Sequence, residues 1–322
     1  MTSAMPTASA GGPIRVGLDI GGTKTDAVAI AGDDIIGRIR RASGHGDEAV
    51  IANVVDSVRE LQAEAGFDLA DVRSVGVGIP GLVDAAKGRV LHAVNLGVET
   101  LDLAALSGAR LGVPVAVEND VKAAALGAAA IRGADTGTSM AYLNLGTGVA
   151  AGIVTGGVLW RGARGTAGEV GHISVDPAGR LCTCGQRGCV ETLCGGGALA
   201  RAWGRPGALP VRDIFDAADQ GDTEALLLRA DLSRGAAAAV RILVLSADVE
   251  TVVIGGGLTA LGERLGDGIR TALIADAAGS PFLRSLRLDE RIEMLPSGSP
   301  AAALGAALVG SHVPEQEIAV HG

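Results

Sequence analysis

Short apolar runs alternate with amphipathic segments along this chain. Residues 14–30 contain two apolar runs, IRVGLDI and TDAVAI, separated by the turn GGTK. Runs of this length, rich in branched aliphatic side chains and bounded by glycine, predict a β-strand, a tight turn and a second strand. Two further buried strands are predicted at 72–79 and 113–117.

Helical spacing separates and follows these strands. Val50, Val54, Val58 and Leu61 recur at intervals of three or four residues, which predicts a helix over 49–65. Further helices are predicted at 103–111, 121–131, 212–230, 232–246, 261–275 and in the small-residue segment at the end, SPAAALGAALVG. Strands that alternate with helices are typical of an α/β protein.

A second strand-turn-strand pattern resembles the first. MAYLNL is followed by GTG and VAAGIV, and a third glycine-rich turn ends the run TVVIGGG. Such turns let backbone N–H groups converge on an anionic oxygen. Each turn taken alone is equally compatible with an ordinary tight hairpin, but their recurrence predicts two similar halves with phosphate-binding turns. The candidate residues are Asp19, Gly21, Gly22, Thr23, Lys24, Gly146, Thr147, Gly148, Gly256 and Gly257.

Composition narrows the class of protein. With 322 residues, 48% of them apolar, the chain can build two domains with ample cores. The net charge of −9, without a basic tract, argues against nucleic acid as a partner. Only four cysteines in a chain of this size fit a reducing cytoplasm. Glycine and polar residues interrupt the longest uncharged run, 136–160, which predicts buried strands rather than a membrane span.

One histidine and three cysteines form the most specific motif. His172, Cys182, Cys184 and Cys189 have the spacing H-x9-C-x-C-x4-C. One imidazole and three thiolates from a short glycine-rich loop suit a closed, tetrahedral zinc site that holds the loop rigid. Glu169 and Glu191 flank the motif, and both remain free to face a ligand because the four-ligand set is already complete.

Asp120 is the best candidate for a catalytic base. It follows Asn119 where a buried strand ends and an alanine-rich helix begins. Ligands of α/β proteins bind at the carboxyl ends of strands, where a carboxylate can accept a proton from an attacking hydroxyl. The alternative is structural, because Asn and Asp are frequent helix N-caps.

Seven motifs in order carry a resemblance to a known family. They are DIGGTKT, GIPGLVD, VEND, NLGTGVAAGI, GEVGH, CTCGQRGCVE and VIGGGL. From about residue 14 onward, the chain resembles the ROK family of sugar kinases in the actin/hexokinase superfamily. The resemblance implies a two-lobed, actin-like ATPase (ribonuclease H-like) α/β fold with an active-site cleft between the lobes. The expected domains are a disordered tail at 1–13, a smaller domain at 14–118 joined by the helix at about 300–322, and a larger domain at 119–299 that contains the zinc loop 172–189.

The same resemblance implies a role for each matching residue. Asp120 would accept the proton of the sugar 6-hydroxyl, and His172 would bind zinc through one ring nitrogen and face the sugar with the other. The glycine-rich turns of Asp19 and Thr147 would face Mg²⁺ and the ATP phosphates, and Gly256 and Gly257 would lie near the adenosine. Further sugar contacts would come from Asn119, Glu169, Glu191, Gly81 and Asn95.

The implied activity is that of an ATP-dependent hexokinase that acts on the 6-hydroxyl of glucose. Lys122 stands where family members often carry Asn, and Gly97 stands where many glucokinase-like members carry Trp. These departures leave an N-acetylglucosamine kinase, or a kinase of another hexose, as the alternative. A sugar-sensing regulator is a third, less favoured hypothesis. Such regulators carry an N-terminal DNA-binding module, and the first predicted strand begins near Ile14, which leaves no room for one. ATP, Mg²⁺ and structural Zn²⁺ are the expected cofactors of a cytoplasmic homodimer or homotetramer with no membrane partner.

Overall fold

The computed structural model describes residues 12–133 and 137–310. The predicted tail lies almost entirely outside the described residues, as does the final part of the helix predicted at about 300–322. The chain divides into two compact units. The first contains the described residues up to Ala123 and those from Ala302, and the second contains Ala124–Ala301. No helix among the described residues is long and apolar enough to cross a membrane.

A five-stranded sheet forms the centre of the first unit. Its strands, in spatial order, are β3 (Asp34–Ala42), β2 (Lys24–Ala31), β1 (Ile14–Ile20), β4 (Val72–Ile79) and β7 (Val115–Asn119). The first three strands pair antiparallel, whereas β1, β4 and β7 run parallel. A separate hairpin consists of β5 (Leu82–Asp84) and β6 (Arg89–His92).

Helices cover this sheet with small and branched side chains. They are α1 Asp47–Ala65, α2 Leu103–Leu111 and α10 Ala301–Val309, whereas α3 (Asp120–Arg132) follows β7 and spans the boundary between the two units after Ala123. The backbone of α10 lies directly on the sheet: a Cβ built on Gly17 would be 2.0 Å from the Ala303 carbonyl oxygen, and one on Gly76 would be 1.7 Å from that of Ala306. Only glycine permits this approach, so α10 is an integral layer of the first unit.

The sheet of the second unit has the same strand arrangement. Its order is β10 (Val158–Trp160), β9 (Val149–Thr155), β8 (Ser139–Leu145), β11 (Thr251–Gly255) and β12 (Ile292–Met294). Three antiparallel strands again precede two parallel additions. The helices of this unit are α4 Val190–Cys194, α5 Gly196–Trp203, α6 Pro210–Asp219, α7 Thr223–Ala247, α8 Glu263–Ala277 and α9 Pro281–Leu286. The similarity of the two hairpin sequences thus corresponds to two similarly ordered sheets.

The sequence predicted helices at 212–230 and 232–246, and the position of the break between them was wrong. The structure has one break at 220–222, where Gly221 has a φ of 87° and Asp222 caps α7 by accepting a hydrogen bond from the Ala225 N–H at 3.0 Å. No break occurs at Asp231, which lies inside the continuous helix α7. Apolar spacing continues across both positions, so periodicity alone did not locate the break.

Candidate active site

The parallel strands β1, β4 and β7 end at the same edge of the sheet in the first unit. Asp19 near the end of β1 pairs with Gly78 of β4, and Gly78 pairs in turn with Glu118 of β7. A Cβ built on Gly78 would lie 3.5 Å from both the Asp120 Cα and the Leu18 carbonyl oxygen. The absence of a side chain at Gly78 therefore leaves Asp19 and Asp120 close together at this edge.

Asn119, not Asp120 alone, caps helix α3. The Asn119 side-chain oxygen accepts hydrogen bonds from the Val121 and Lys122 N–H groups, each at 3.1 Å. Its side-chain nitrogen donates to the Gly81 carbonyl oxygen at 3.3 Å. Asp120 accepts one bond from the Val121 N–H through Oδ1 at 2.9 Å. The helix start is thus secured by Asn119, and the capping interpretation does not by itself account for the aspartate that follows.

Asp19 lies in a strongly electronegative environment. Loss of solvent around this half-buried side chain raises its pKa to about 7, and the negative charges of Asp120 and Asp26 act in the same direction. The Lys24 cation opposes them. A divalent cation would remove this repulsion, since Mg²⁺ is commonly held by one or two carboxylates and several waters.

The first glycine-rich turn exposes its tip. The Gly21 N–H donates to the Lys24 carbonyl oxygen at 2.9 Å, which closes the turn and leaves Gly22 and Thr23 exposed. A Cβ on Gly22 would lie 3.3 Å from the Asn95 Cβ, so this predicted sugar-contacting residue adjoins the turn. Asn95 also lines a cavity of about 500 Å³ in the first unit, together with Pro80, Gly81, Leu82, His92, Ala93 and Val94.

The four predicted metal ligands converge in the second unit. One donor atom from each of His172, Cys182, Cys184 and Cys189 lies within 4.8 Å of all the others. Cys184 Sγ and Cys189 Sγ are 3.7 Å apart, and Cys182 Sγ is 3.8 Å from His172 Nδ1. Zinc–sulfur bonds of about 2.3 Å place two sulfurs of a tetrahedron about 3.8 Å apart. These donors therefore fit a tetrahedral zinc ion.

Crowding of the thiols gives a second reason for a cation. Hydrogen bonds from Gln186 lower the pKa of Cys184 to about 6, whereas burial raises the pKa of Cys189 to about 12. Burial and the neighbouring thiols thus oppose ionisation of Cys189, and a metal ion deprotonates the thiols that bind it. The fourth cysteine, Cys194, is fully buried outside the cluster.

Close packing positions the segment that carries Glu169 and His172. Gly168 has a φ of 93°, and a Cβ there would lie 1.9 Å from the Ala151 carbonyl oxygen. The Ala151 N–H donates to the Gly168 carbonyl oxygen at 2.7 Å. The segment thus lies directly against β9. Within the segment, the Glu169 side chain is exposed, and Nδ1 of His172 faces the thiols.

Glu191 joins the cysteine loop to the second glycine-rich turn. It follows Cys189 by two residues, in α4, and its Oε2 accepts a hydrogen bond from the Val149 N–H at 3.0 Å. The same oxygen would lie 2.7 Å from a Cβ on Gly148. Prediction from the sequence assigned Glu191 only to the ligand and missed this contact.

A pocket beside this turn is lined by three of the predicted nucleotide-binding residues, Gly146, Thr147 and Gly257. The cavity has a volume of about 350 Å³, within the range of small-molecule sites. Its walls are largely apolar, and Arg212 is the charged residue among them. The lining residues include Gly146, Thr147, Gly196, Gly197, Leu209, Pro210, Val211, Gly257, Leu258 and Leu261. Sequence reasoning found Gly146, Thr147 and Gly257 but missed the wall at 208–212, which has no motif.

The structure therefore brings the predicted residues together in two groups. In the first unit they are Asp19, Gly21, Gly22, Thr23, Lys24, Gly81, Asn95, Asn119 and Asp120. In the second unit they are Gly146, Thr147, Gly148, Glu169, His172, Cys182, Cys184, Cys189, Glu191, Gly256 and Gly257. Within each group, a glycine-rich hairpin turn lies near acidic or polar side chains suited to a small, polar ligand.

Paired sheets with glycine-rich hairpins define an α/β protein of the actin-like, two-lobed class. Residues 15–311 match the ROK family, and the chain belongs to this family.

Individual relatives are sugar kinases. The chain is 32% identical to a glucokinase of Halalkalibacterium halodurans over 78% of this chain and 82% of that protein. An N-acetylmannosamine kinase of Haemophilus influenzae is 30% identical, with 75% and 79% covered. A Streptomyces griseus ROK glucokinase structure in complex with glucose and AMPPNP is 30% identical, with a TM-score of 0.74 over 92% of this chain and 99% of that one. The predicted family and fold class are confirmed.

Proposed function

We propose that this protein is an ATP-dependent hexokinase that transfers the γ-phosphoryl group of ATP to the 6-hydroxyl of a hexose, with glucose as the favoured acceptor. The similar glucokinases and the glucokinase complex with glucose and AMPPNP support the reaction class. One observation of this chain carries the assignment. Asp120 stands at the end of a parallel strand beside Asp19, while Asn119 caps the helix.

Asp120 is the proposed general base. Its carboxylate orients the sugar 6-hydroxyl and accepts its proton as the oxygen attacks the γ-phosphorus. Phosphoryl transfer depends mainly on positioning and on charge stabilisation. Alignment of the reactants lowers the reaction barrier by about 7–11 kcal/mol. A general base accelerates the reaction by about 10²–10⁴-fold, which is the smaller contribution. The Asn119–Gly81 hydrogen bond therefore matters because it helps to hold the segment before Asp120 in place.

Mg²⁺ and the nucleotide phosphates are proposed to face the glycine-rich turns. Asp19, with its raised pKa, is suited to Mg²⁺ because the cation offsets the repulsion from Asp120 and Asp26. When bound, Mg²⁺ neutralises charge on the phosphoryl oxygens. Gly21, Gly22, Thr23 and Lys24 in the first unit, and Gly146, Thr147 and Gly148 in the second, are the proposed phosphate contacts. Gly256 and Gly257 are proposed to lie by the adenosine, next to the apolar pocket.

A structural zinc ion is proposed at His172, Cys182, Cys184 and Cys189. Bound zinc would fix the loop and hold the His172 ring through Nδ1. The other ring nitrogen, Nε2, is then free to hydrogen-bond a sugar hydroxyl. Glu169 and Glu191 are proposed to accept hydrogen bonds from the remaining hydroxyls, with Gly81, Asn95 and Asn119 as further sugar contacts.

One local feature favours an amino sugar as the second candidate acceptor. Leu82 and Val94 are exposed beside Gly81 and Asn95 in the cavity of the first unit, and they could contact the methyl group of an N-acetyl substituent. A Cβ on Gly97 would lie 2.4 Å from His45 Nε2, so no large side chain fits there as long as His45 keeps this position. N-Acetylglucosamine, or another amino sugar, is therefore the alternative to glucose.

Replacement of the proposed base tests the function. Asp120→Asn should bind glucose with nearly unchanged affinity in calorimetry but lose about 10²–10⁴-fold in kcat. Turnover is measured by ADP release with a panel of hexoses and N-acetylhexosamines. A variant that turns over at the parental rate would show that Asp120 is not the base. A parent that phosphorylates no sugar in the panel would refute the proposed activity.

The proposed assembly and location follow from the family rather than from a site. We expect a homodimer or homotetramer in the cytoplasm, with no nucleic-acid partner. Analytical ultracentrifugation of the full chain would give the oligomeric state, and a monomer at micromolar concentration would contradict the expectation.

A further inference from the structure

Arg201 lies beside the second glycine-rich turn. It belongs to the last turn of α5, and helical side chains point back toward the helix N-terminus. A Cβ built on Gly197 would be 3.5 Å from Arg201 Nη1 and 3.2 Å from the Thr147 carbonyl oxygen. The guanidinium group, Gly197 and Thr147 therefore lie together, and both Gly197 and Thr147 line the apolar pocket.

The guanidinium group of Arg201 is available to a ligand. Most arginines among the described residues are joined to a carboxylate or to a carbonyl oxygen, such as Arg205 to Asp222. Arg201, in contrast, is exposed and has no hydrogen bond or ion pair with any described residue. A cation beside a small-molecule pocket is thus left without an internal counter-ion.

The backbone that adjoins the turn offers few free N–H groups. The N–H groups of Gly196 and Gly197 at the start of α5 already donate to the carbonyl oxygens of Gly146 and Thr147, at 2.8 and 2.9 Å. The Val149 N–H is also used, because it donates to Glu191 at 3.0 Å. The start of α5 therefore cannot offer these amides to an anion, and the Glu191 carboxylate adds negative charge close by.

We propose that Arg201 binds the phosphate oxygens of the donor nucleotide. Its planar guanidinium group would donate charge-assisted hydrogen bonds to the diphosphate while the adenosine occupies the apolar pocket. Arg201 thereby supplies the positive charge that the turn of Gly146, Thr147 and Gly148 lacks. This inference rests on the proposed function, because it assumes that the pocket binds a nucleotide.

Nucleotide binding without sugar tests the assignment directly. Calorimetric titrations with ADP and with adenosine are compared for the parent, Arg201→Met and Arg59→Met. Arg59, in α1, is also exposed and makes no ion pair with a described residue, so its replacement is a matched loss of charge. We expect Arg201→Met to weaken ADP binding at least tenfold, to change adenosine binding by less than twofold and to flatten the salt dependence of ADP binding. Arg201→Lys should restore part of the ADP affinity.

The outcomes separate the two proposals. If the parent binds ADP and Arg201→Met binds it equally well, the role of Arg201 is refuted and the proposed kinase activity is untouched. Equal losses for ADP and adenosine would show that Arg201 supports the pocket structurally, which also refutes a phosphate contact. A parent that binds neither ligand would refute the nucleotide site and the proposed function together.

Discussion

Glu191 and Val149 connect two parts of the second unit that are 42 residues apart, through the 3.0 Å hydrogen bond from the Val149 N–H to Glu191 Oε2. Glu191 follows the last cysteine of the metal cluster, and Val149 begins the strand after the glycine-rich turn. The side chain proposed to bind sugar therefore also fixes the backbone that directly follows the turn proposed to bind phosphate. We therefore expect a change in the cysteine loop to alter the glycine-rich turn, and a change in the turn to alter the loop.

Two substitutions of Glu191 should separate these roles. Glu191→Ala leaves the buried Val149 N–H without its acceptor, which costs about 1–3 kcal/mol of stability, and it should raise KM for both ATP and sugar. Glu191→Gln retains an acceptor oxygen, so it should mainly raise KM for the sugar. Steady-state kinetics with each substrate varied, together with thermal unfolding, measure both effects. Equal effects of the two variants on KM for ATP would contradict the structural role.

Metal content provides a separate prediction. The purified protein should contain about one zinc ion per chain, and Cys184→Ser should contain almost none, because all four donors complete the tetrahedron. We expect the loss of zinc to weaken sugar binding about tenfold or more through the freed His172 ring. Cys194→Ala is the control, since Cys194 is buried outside the cluster and should leave the zinc content unchanged. Elemental analysis and glucose titration provide the readouts, and a zinc-free parent with full sugar affinity would rule out the proposed site.

Asp19 should make the ligand-free protein less stable as the pH rises. Its pKa increases from 3.8 to about 7 on folding, so the folded state holds the proton more tightly than the unfolded chain. At pH 3 both states are protonated and Asp19 costs nothing. The cost grows between about pH 4 and 7 and is complete above pH 7.

Asp19→Asn should therefore raise the melting temperature at pH 8 and have little effect near pH 3. A gain of about 1 kcal/mol corresponds to a shift of about 2–4 °C. The same variant should lose Mg²⁺–ATP turnover. Asp33→Asn, in the exposed turn between β2 and β3, serves as the control for the lost charge. A melting-temperature difference that does not depend on pH would show that Asp19 titrates normally.

Gly168 should be far less tolerant of substitution than another glycine with a similar backbone. Gly168→Ala places a Cβ 1.9 Å from the Ala151 carbonyl oxygen and also strains a positive φ. Gly204→Ala has only the φ penalty, because nothing lies within 4 Å of its Cβ. We expect about 1–3 kcal/mol of destabilisation for Gly204→Ala and more for Gly168→Ala, with loss of sugar affinity only in the latter. Chemical denaturation and glucose titration would test this, and equal losses would refute the packing argument.

Sequence alone predicted the elements that rest on local patterns. The strand at 72–79 followed from a continuous apolar run, and the clustering of the four candidate metal ligands followed from their spacing. The Glu191–Val149 contact was missed because it joins residues that are distant along the chain. Arg201 was missed for a different reason: the many arginines of the chain look alike until the structure shows which of them already have partners. The strands β3 and β12 were not predicted either, since neither has a long apolar run.

The packing of α10 on Gly17 and Gly76 has a consequence for biosynthesis. From residue 302 onward, α10 forms a layer of the same unit whose sheet begins at Ile14. During translation the strands of that sheet emerge early, but one of its covering helices is synthesised almost 300 residues later. The second unit, contiguous from 124 to 301, can complete its core in the meantime. Part of an apolar face of the N-terminal sheet therefore stays exposed until α10 has been synthesised. We expect a nascent chain arrested before residue 300 to bind chaperones through this exposed face.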